Sequence, residues 1–276
     1  MRVGIPLPQG YFGEFAGWDR RQAWRRTAEV ARAADRLGYD SAWLYDHVHT
    51  APEPTDELTW ESTTGLAVLA AQTDRIRLGQ LVLYSGFRGA AHVRSMVATM
   101  DALSGGRVEV GMGAGWKEEE ALAYGYPFPE APARLAVLRQ QLEVLRASLR
   151  PGIPIVVGGN GPRVTFRLAA RYADELDLNL LTVEQVAAAL PLVRARCEEI
   201  GREPSTLRVS VQLRGGLIGG PGEHRTQLLA AYRELGLARV IVAIQRECVA
   251  TDEVLESLAE DARASGAELL PALSQT

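Results

Sequence analysis

The stretch IPIVVGGNGPRVTFRLAARYADELDLNLL, residues 153–181, carries the pattern that decides the fold. It begins with a short run of branched apolar residues, continues through a glycine-rich turn into a segment of helical character, and ends in a second apolar run. The two apolar runs have the length and composition of buried strands. Two strands joined through a helix lie parallel, because the helix returns the chain to the same edge of the sheet. The stretch therefore predicts a strand–helix–strand unit of a parallel sheet.

The same alternation extends along the whole chain. Strands are predicted at residues 2–7, 41–46, 76–84, 107–112, 153–159, 175–181, 207–213 and 239–244. Helices are predicted at residues 20–37, 61–73, 91–103, 134–149, 163–173, 183–200, 223–235 and 252–264. Eight such units favour an α/β fold of the (β/α)8 TIM-barrel type over a doubly wound sheet, because the barrel needs that number in about 250 residues. No linker divides the chain, so we expect a single domain over residues 1–276.

Composition excludes several classes of protein. Apolar residues make up 47% of the chain and charged residues 23%, which excludes wholesale disorder. The formal net charge of −4 argues against nucleic acid or an anionic membrane as a partner, because both attract basic surfaces. Two isolated cysteines, no signal-peptide pattern and no run as long as a membrane span predict a cytoplasmic protein without disulfides.

In a barrel, chemistry belongs at the carboxyl ends of the strands, and GGNGPR follows the fifth predicted strand. Its glycines leave backbone N–H groups exposed, the proline suits the first helical position, and the arginine adds a fixed charge. Such a turn binds phosphate at the positive end of a helix dipole. The alternative is a tight turn in which glycine supplies only dihedral freedom. The expected phosphate site comprises Gly158, Gly159, Asn160, Gly161, Pro162 and Arg163.

The segment GMGAGW follows the fourth predicted strand. The small residues Gly113, Ala114 and Gly115 would let a planar ring system lie against the backbone, and Trp116 would wall the pocket. The alternative is a glycine-rich barrel rim with a packed tryptophan.

The second predicted strand ends in Asp46 and His47. A histidine there can donate or accept a proton near neutral pH, or it can bridge loops in a purely structural role. The acidic run at residues 118–120 is most simply a solvated helix start. No group of residues has metal-ligand spacing, so we expect no metal.

Three segments in this order resemble the signatures of the bacterial luciferase-like oxidoreductases. They are LGYDSAWLYDH (residues 37–47), LGQLVLYSGFRGAAHVRSMVATMDALSGGRVEVGMGAGW (residues 78–116) followed by EEEALAYGYPFP (residues 118–129), and GGNGPRVTFRLAARYAD (residues 158–174). The resemblance implies a (β/α)8 barrel that binds FMN or the deazaflavin coenzyme F420 at the strand ends, often in a homodimer.

The resemblance also implies roles for particular residues. Residues 159–163 would hold the cofactor phosphate, and the segment from Gly113 to Trp116 would lie beside the ring. Leu81 and Val82 fall where the family often carries a non-proline cis peptide that supports the ring. Asp46 and His47 would close the polar edge of the ring.

The chain departs from relatives at several places. Trp116 and Ala51 stand where the alcohol- and sugar-oxidising deazaflavin branch carries a glutamate and a tryptophan, which argues against that dehydrogenase chemistry. The connection between the fourth helix and the fifth strand is shortened, which predicts either an open pocket for a bulky substrate or a partner that covers it.

The leading expectation is an oxidoreductase in which reduced coenzyme F420 delivers a hydride to an electron-poor C=C or C=N bond of a small organic substrate. His47 would position or protonate that substrate. One alternative is a two-component FMN-dependent monooxygenase that takes reduced FMN from a separate reductase. Another is a non-catalytic barrel that acts as a partner subunit.

Overall fold

Strands and helices alternate along residues 1–271, the part of the chain that the computed structural model describes. Residues 272–276, the end of the expected domain, lie outside the described residues. The strands are β1 (Arg2–Pro6), β2 (Ser41–Leu44), β3 (Arg77–Gln80), β4 (Leu83–Tyr84), β5 (Val108–Gly113), β6 (Ile155–Gly158), β7 (Glu175–Asn179), β8 (Arg208–Arg214) and β9 (Arg239–Ala243). The helices are α1 (Arg20–Leu37), α2 (Ser62–Ala70), α3 (Ala90–Ser104), α4 (Glu118–Ala123), α5 (Ala131–Ser148), α6 (Thr165–Tyr172), α7 (Val183–Glu198), α8 (Glu223–Glu234) and α9 (Glu253–Ala264).

The strands form one closed parallel sheet. Around the ring the order is β3, β2, β1, β9, β8, β7, β6 and β5, and pairing of Leu78 in β3 with Val108 in β5 closes it. The short strand β4 continues β3 and pairs with β5 through Leu83 and Tyr84. The architecture is therefore the predicted (β/α)8 barrel.

Two features differ from the predicted elements. The predicted third strand, residues 76–84, is broken into β3 and β4, and the Leu81–Val82 peptide between them is cis. The connection between β5 and β6 also holds the additional short helix α4. Residues 149–154 alone join α5 to β6, so that connection is short as expected.

Two apolar layers hold the barrel together. Outside it, the strands pack against apolar faces of the helices, as α1 does with Val30, Ala31 and Ala34. Asp19 caps the first turn of α1 and Gly38 ends the helix at φ 90°, which is the local signal that made its bounds predictable.

Inside the barrel, Trp43, Leu81, Val156 and Ile241 form a buried apolar plug against which Val82 packs. Arg239 is buried with the plug and pairs with Glu109 at 2.7 Å and Glu175 at 2.8 Å. Ion pairing of this kind is needed to retain charges inside a barrel that water does not fill.

None of the helices within residues 1–271 is long and apolar enough to cross a membrane.

Candidate functional site

The cis peptide between Leu81 and Val82 lies at the carboxyl end of β3, as the resemblance predicted. The side chain of Val82 lies over two neighbouring strand ends. A Cβ atom on Gly113 would stand 2.5 Å from Val82 Cγ2, and one on Gly158 would stand 3.0 Å from Val82 Cγ1. With Leu81 and the plug beneath it, Val82 forms an apolar floor for the mouth of the barrel.

The glycines of GMGAGW lie close to neighbouring side chains. The space next to Gly113 is occupied by Val82, and a Cβ on Gly115, whose φ is +76°, would stand 2.4 Å from the ring of Tyr84. These contacts within the protein require glycine at both positions. The expected position of a ring beside residues 113–116 stays a prediction. Ala114 is partly buried against the core. Trp116 lies at the mouth of the barrel and is 70% exposed.

Asp46 is buried at the end of β2, where its carboxylate is held by the protein itself. Arg88 Nη1 donates to both carboxylate oxygens at 2.8 and 2.9 Å, the Tyr84 N–H donates at 2.9 Å and the Ser62 hydroxyl at 3.3 Å. Burial raises the pKa of Asp46 despite the opposing charge of Arg88. Asp46 therefore holds the start of β4 through the Tyr84 N–H. Of the two residues expected at the polar edge of the ring, only His47 keeps a polar atom that residues 1–271 do not already bind.

His47 is held by a carboxylate that the sequence did not reveal. Glu120 Oε2 lies 2.5 Å from His47 Nδ1, and Glu120 Oε1 accepts the Val48 N–H at 2.8 Å. Burial alone would raise the pKa of Glu120, but the hydrogen bond and charge of His47, together with the Val48 N–H, lower it below its ordinary value. The expectation that residues 118–120 are solvated is wrong for Glu120, which is 1% exposed.

This pairing sets the chemistry available to His47. An ionised Glu120 accepts but cannot donate, so the proton between the two residues belongs to Nδ1 and the other ring nitrogen, Nε2, is left for exchange. The His47 ring stacks on Tyr11 with centroids 4.0 Å apart and planes 3° apart. Trp116 meets it edge-on at 5.8 Å. His47 is therefore a positioned group that can give or take one proton.

The loop after β6 is fixed from the neighbouring strand β7. Gly159 has φ +134° and its N–H donates to the carbonyl of Asp177 at 3.0 Å. The Asn160 side chain bonds both the N–H and the carbonyl of Asn179, each at 2.8 Å. Helix α6 begins at Thr165, so Pro162 lies in the turn and not at the predicted first helical position.

The same loop leaves donors without acceptors. Within residues 1–271, the N–H groups of Asn160, Gly161, Arg163 and Val164 have no protein acceptor, and these residues are exposed. They precede the N-terminus of α6, whose dipole favours an anion. The residues present therefore fit a phosphate group, which needs several N–H donors and a nearby cation such as Arg163.

The closed barrel and the groups gathered at the carboxyl ends of its strands define an enzyme of the TIM-barrel class. The family model described as "Luciferase-like monooxygenase" matches residues 5–215. The chain therefore belongs to this family of oxidoreductases.

Individual proteins add detail. An F420-dependent glucose-6-phosphate dehydrogenase of Nocardia farcinica is 32% identical over 178 residues, which cover 54% of this chain and 50% of that protein. An F420-dependent secondary alcohol dehydrogenase, solved with an F420–acetone adduct, superposes with a TM-score of 0.74 at 15% identity, covering 93% of this chain and 98% of that one. A monooxygenase of Streptomyces bottropensis superposes with a TM-score of 0.64 at 20% identity, covering 96% and 82%. The matched regions span 37% to 65% of the length of the curated relatives compared.

Proposed function

We propose that this chain is a coenzyme F420-dependent oxidoreductase that reduces an electron-poor C=C or C=N bond of a small organic substrate. The observation that carries the proposal is the His47–Glu120 pair, which presents one ring nitrogen at the mouth of a barrel whose β6 loop suits a phosphate. Reduction of such a bond requires a hydride at one atom and a proton at the other, and His47 can supply the proton.

The residues of the chain divide the work. Bound reduced deazaflavin would supply the hydride. The loop residues 159–163 would hold its phosphate, and the floor of Leu81 and Val82 would exclude water beneath its ring. His47 would donate its Nε2 proton to the substrate atom next to the carbon that is reduced. Glu120 would hold the His47 ring in position for that transfer, because its carboxylate lies against Nδ1.

The choice of F420 is supported by the names of relatives. The N. farcinica relative and the secondary alcohol dehydrogenase are both described as F420-dependent. The arginine-rich composition is typical of GC-rich genomes in which this coenzyme is found, since 29 of the 30 basic residues are arginine.

A two-component FMN monooxygenase is the second candidate, and similarity to the S. bottropensis monooxygenase favours it. The same phosphate loop and apolar floor would serve FMN. Such an enzyme would receive reduced FMN from a separate reductase and would consume oxygen in step with substrate. Oxygen uptake with a supplied flavin reductase distinguishes the two functions. A barrel that binds neither cofactor but forms a stable complex with another protein would be the non-catalytic subunit.

Fluorescence-quenching titrations with F420 and FMN test the cofactor site. We expect Arg163→Ala to weaken the preferred cofactor by about tenfold, which corresponds to one charge-assisted hydrogen bond to phosphate. Arg167→Ala is the matched control, because Arg167 is an exposed arginine one turn along α6 that pairs with Glu199. Equal effects of the two substitutions, or no binding of either cofactor, would contradict the proposed site.

We also propose that two copies associate through the outer faces of α2 and α3. These faces present Val68, 40% exposed, and Leu103, 58% exposed, beside a groove of about 550 Å³ lined by uncharged residues and one histidine. By contrast, the outer face of α1 carries several arginines, including Arg21 and Arg25. Depletion of charge is typical of the centre of a protein interface.

We propose a cytoplasmic location as well, because both cysteines, Cys197 and Cys248, are free and buried and no disulfide joins them within residues 1–271.

A further inference from the structure

Lys117 is the only lysine of a chain that has 30 basic residues. It follows Trp116 directly and occupies the N-cap position of α4. Only 6% of the residue is exposed, although lysine is among the residue types that proteins least often bury. Lysine differs from the arginines of this chain in carrying a compact ammonium group instead of a planar guanidinium group. Lys117 therefore places a compact positive charge at the candidate site.

The ammonium group of Lys117 has no partner. Within residues 1–271, its Nζ atom is buried and makes no hydrogen bond. The nearest buried carboxylate along the helix, Glu120, is already occupied by His47 and the Val48 N–H. The contact identified for Nζ is the face of the Tyr11 ring, whose centre is 5.5 Å away. A cation–π contact replaces only part of the hydration that an ammonium loses on burial.

A nitrogen of His49 also lacks a hydrogen-bond partner among residues 1–271. In the described part of the chain, His49 Nε2 is buried without a hydrogen-bond partner, 3.9 Å from Glu120 Oε1. Burial lowers the pKa of His49, the negative charge of Glu120 opposes this shift, and the positive charge of Lys117 adds to it. Buried polar groups in native proteins are nearly always bonded, so the unpartnered nitrogens of Lys117 and His49 favour a ligand that bonds them.

The contact of Lys117 with Tyr11 indicates where the expected ligand would lie. Its Nζ packs on Tyr11, which belongs to the loop after β1, whereas the phosphate loop follows β6. Around the closed sheet, β1 and β6 are four strands apart in a ring of eight, which places them on opposite sides of the barrel. Lys117 itself follows β5, next to β6, but its Nζ lies against the Tyr11 ring on which His47 also stacks. The group that pairs with Nζ would therefore lie beside His47.

We propose that Lys117 binds a carboxylate group of the substrate, with His49 as a second donor, so that the enzyme selects acidic substrates. The proposal rests on the proposed function, because it assigns the substrate class of that site. A carboxylate fits better than a neutral carbonyl, because only an anion offsets the charge of a buried ammonium. The carboxylate would also hold the substrate beside His47, which stacks on the same Tyr11 ring.

The single lysine makes a direct test possible. Protein grown with ε-¹⁵N-lysine has one side-chain ¹⁵N resonance, which belongs to Lys117. The full chain without cofactor is titrated with formate, acetate and cinnamate, and with cinnamamide as the uncharged match of cinnamate. We expect the resonance to shift and saturate with at least one carboxylate, but not with cinnamamide or with chloride at equal ionic strength. If no carboxylate shifts the resonance more than chloride does, the proposal is overturned.

Substitutions provide an independent readout by calorimetry. Lys117→Gln is expected to weaken binding of the effective carboxylate by about tenfold or more, and Lys117→Arg, which retains the charge, is expected to weaken it less. Cofactor affinity should be the same in both variants and the parent. If Lys117→Gln weakens the cofactor as much as the carboxylate, Lys117 belongs to the cofactor site and the proposal fails. A carboxylate-dependent shift in a protein that binds neither F420 nor FMN would leave the proposal standing and refute the proposed function.

Discussion

Replacement of Asp177 by asparagine should remove a pH dependence from the stability of the barrel. Asp177 lies in β7 on the strand face opposite to Leu178, which packs towards the helices, so its carboxyl group points inside the barrel. It accepts a hydrogen bond from the Ser210 hydroxyl at 3.0 Å. Burial raises its pKa from 3.8 to about 7, helped by the charge of Glu175 and opposed by Ser210 and Arg239. Its backbone carbonyl accepts the Gly159 N–H in the loop after β6.

The sign and size of the effect follow from this shift. Between pH 3.8 and about 7 the folded protein holds a proton on Asp177 that the unfolded chain has released. The free energy of unfolding therefore falls as the pH rises through this interval. The stabilisation is complete below pH 3.8 and is lost above about pH 7. Each pKa unit corresponds to about 1.4 kcal/mol, so the total is about 4 kcal/mol. The asparagine side chain in the Asp177→Asn variant would imitate the protonated acid and still accept from Ser210.

Urea unfolding of the parent and of Asp177→Asn at several pH values, from about 5 to about 8, measures this difference. We expect the variant to be more stable than the parent by up to about 4 kcal/mol at the upper end, and the advantage to shrink as the pH falls. Asp56→Asn, at an exposed position, is the control for loss of one acidic charge. A stability difference that is the same at every pH, or an Asp177→Asn variant less stable than the parent at the upper end of the range, would refute the reasoning.

Three further outcomes are expected. Gly113→Ala should lower the free energy of unfolding by about 2 kcal/mol, because the new Cβ would stand 2.5 Å from Val82 Cγ2. Gly220→Ala is the control in the same thermal melts and should be neutral, because its Cβ would meet nothing within 4 Å. Glu120→Gln should reduce substrate turnover by about a hundredfold with cofactor affinity unchanged, because His47, the proposed proton donor, loses its ionised partner. Equal turnover of the variant and the parent in steady-state assays would disprove that role. Val68→Arg should convert a dimer to a monomer in light-scattering chromatography, and an unchanged mass would locate the interface elsewhere.

The helices and strands were largely predictable because their signals are local. Helix α1 was expected at residues 20–37 and lies there, because Asp19 caps its start and Gly38 its end. The glycine-rich turn GGNGPR was likewise visible, although α6 begins at Thr165, later than the proline suggested. A cap, a glycine with positive φ or a helical repeat is decided by residues close together in sequence, so the pattern is readable there.

The site itself was predictable only in part. The residues at the strand ends, including His47 and Trp116, were identified because the ends of parallel strands meet at one face of the barrel. Glu120 was missed, because nothing in the run of three glutamates distinguishes the one that lies under His47 from its two exposed neighbours. Its burial depends on where His47 lies, 73 residues earlier in the chain.

The sequence by itself determined the number of strand–helix units, their parallel arrangement and the strand ends at which a cofactor site should lie, because periodicity, capping and turn chemistry act within a few residues. Only the tertiary structure decided which carboxylates pair with His47 and Arg88, and it showed that Val82 fills the space beside Gly113. The tertiary structure was also needed to show that the ammonium of Lys117 has no hydrogen-bond partner within the described residues. The reason is physical: desolvation and close packing depend on distances between atoms that are remote in sequence, and those distances exist only once the barrel has closed.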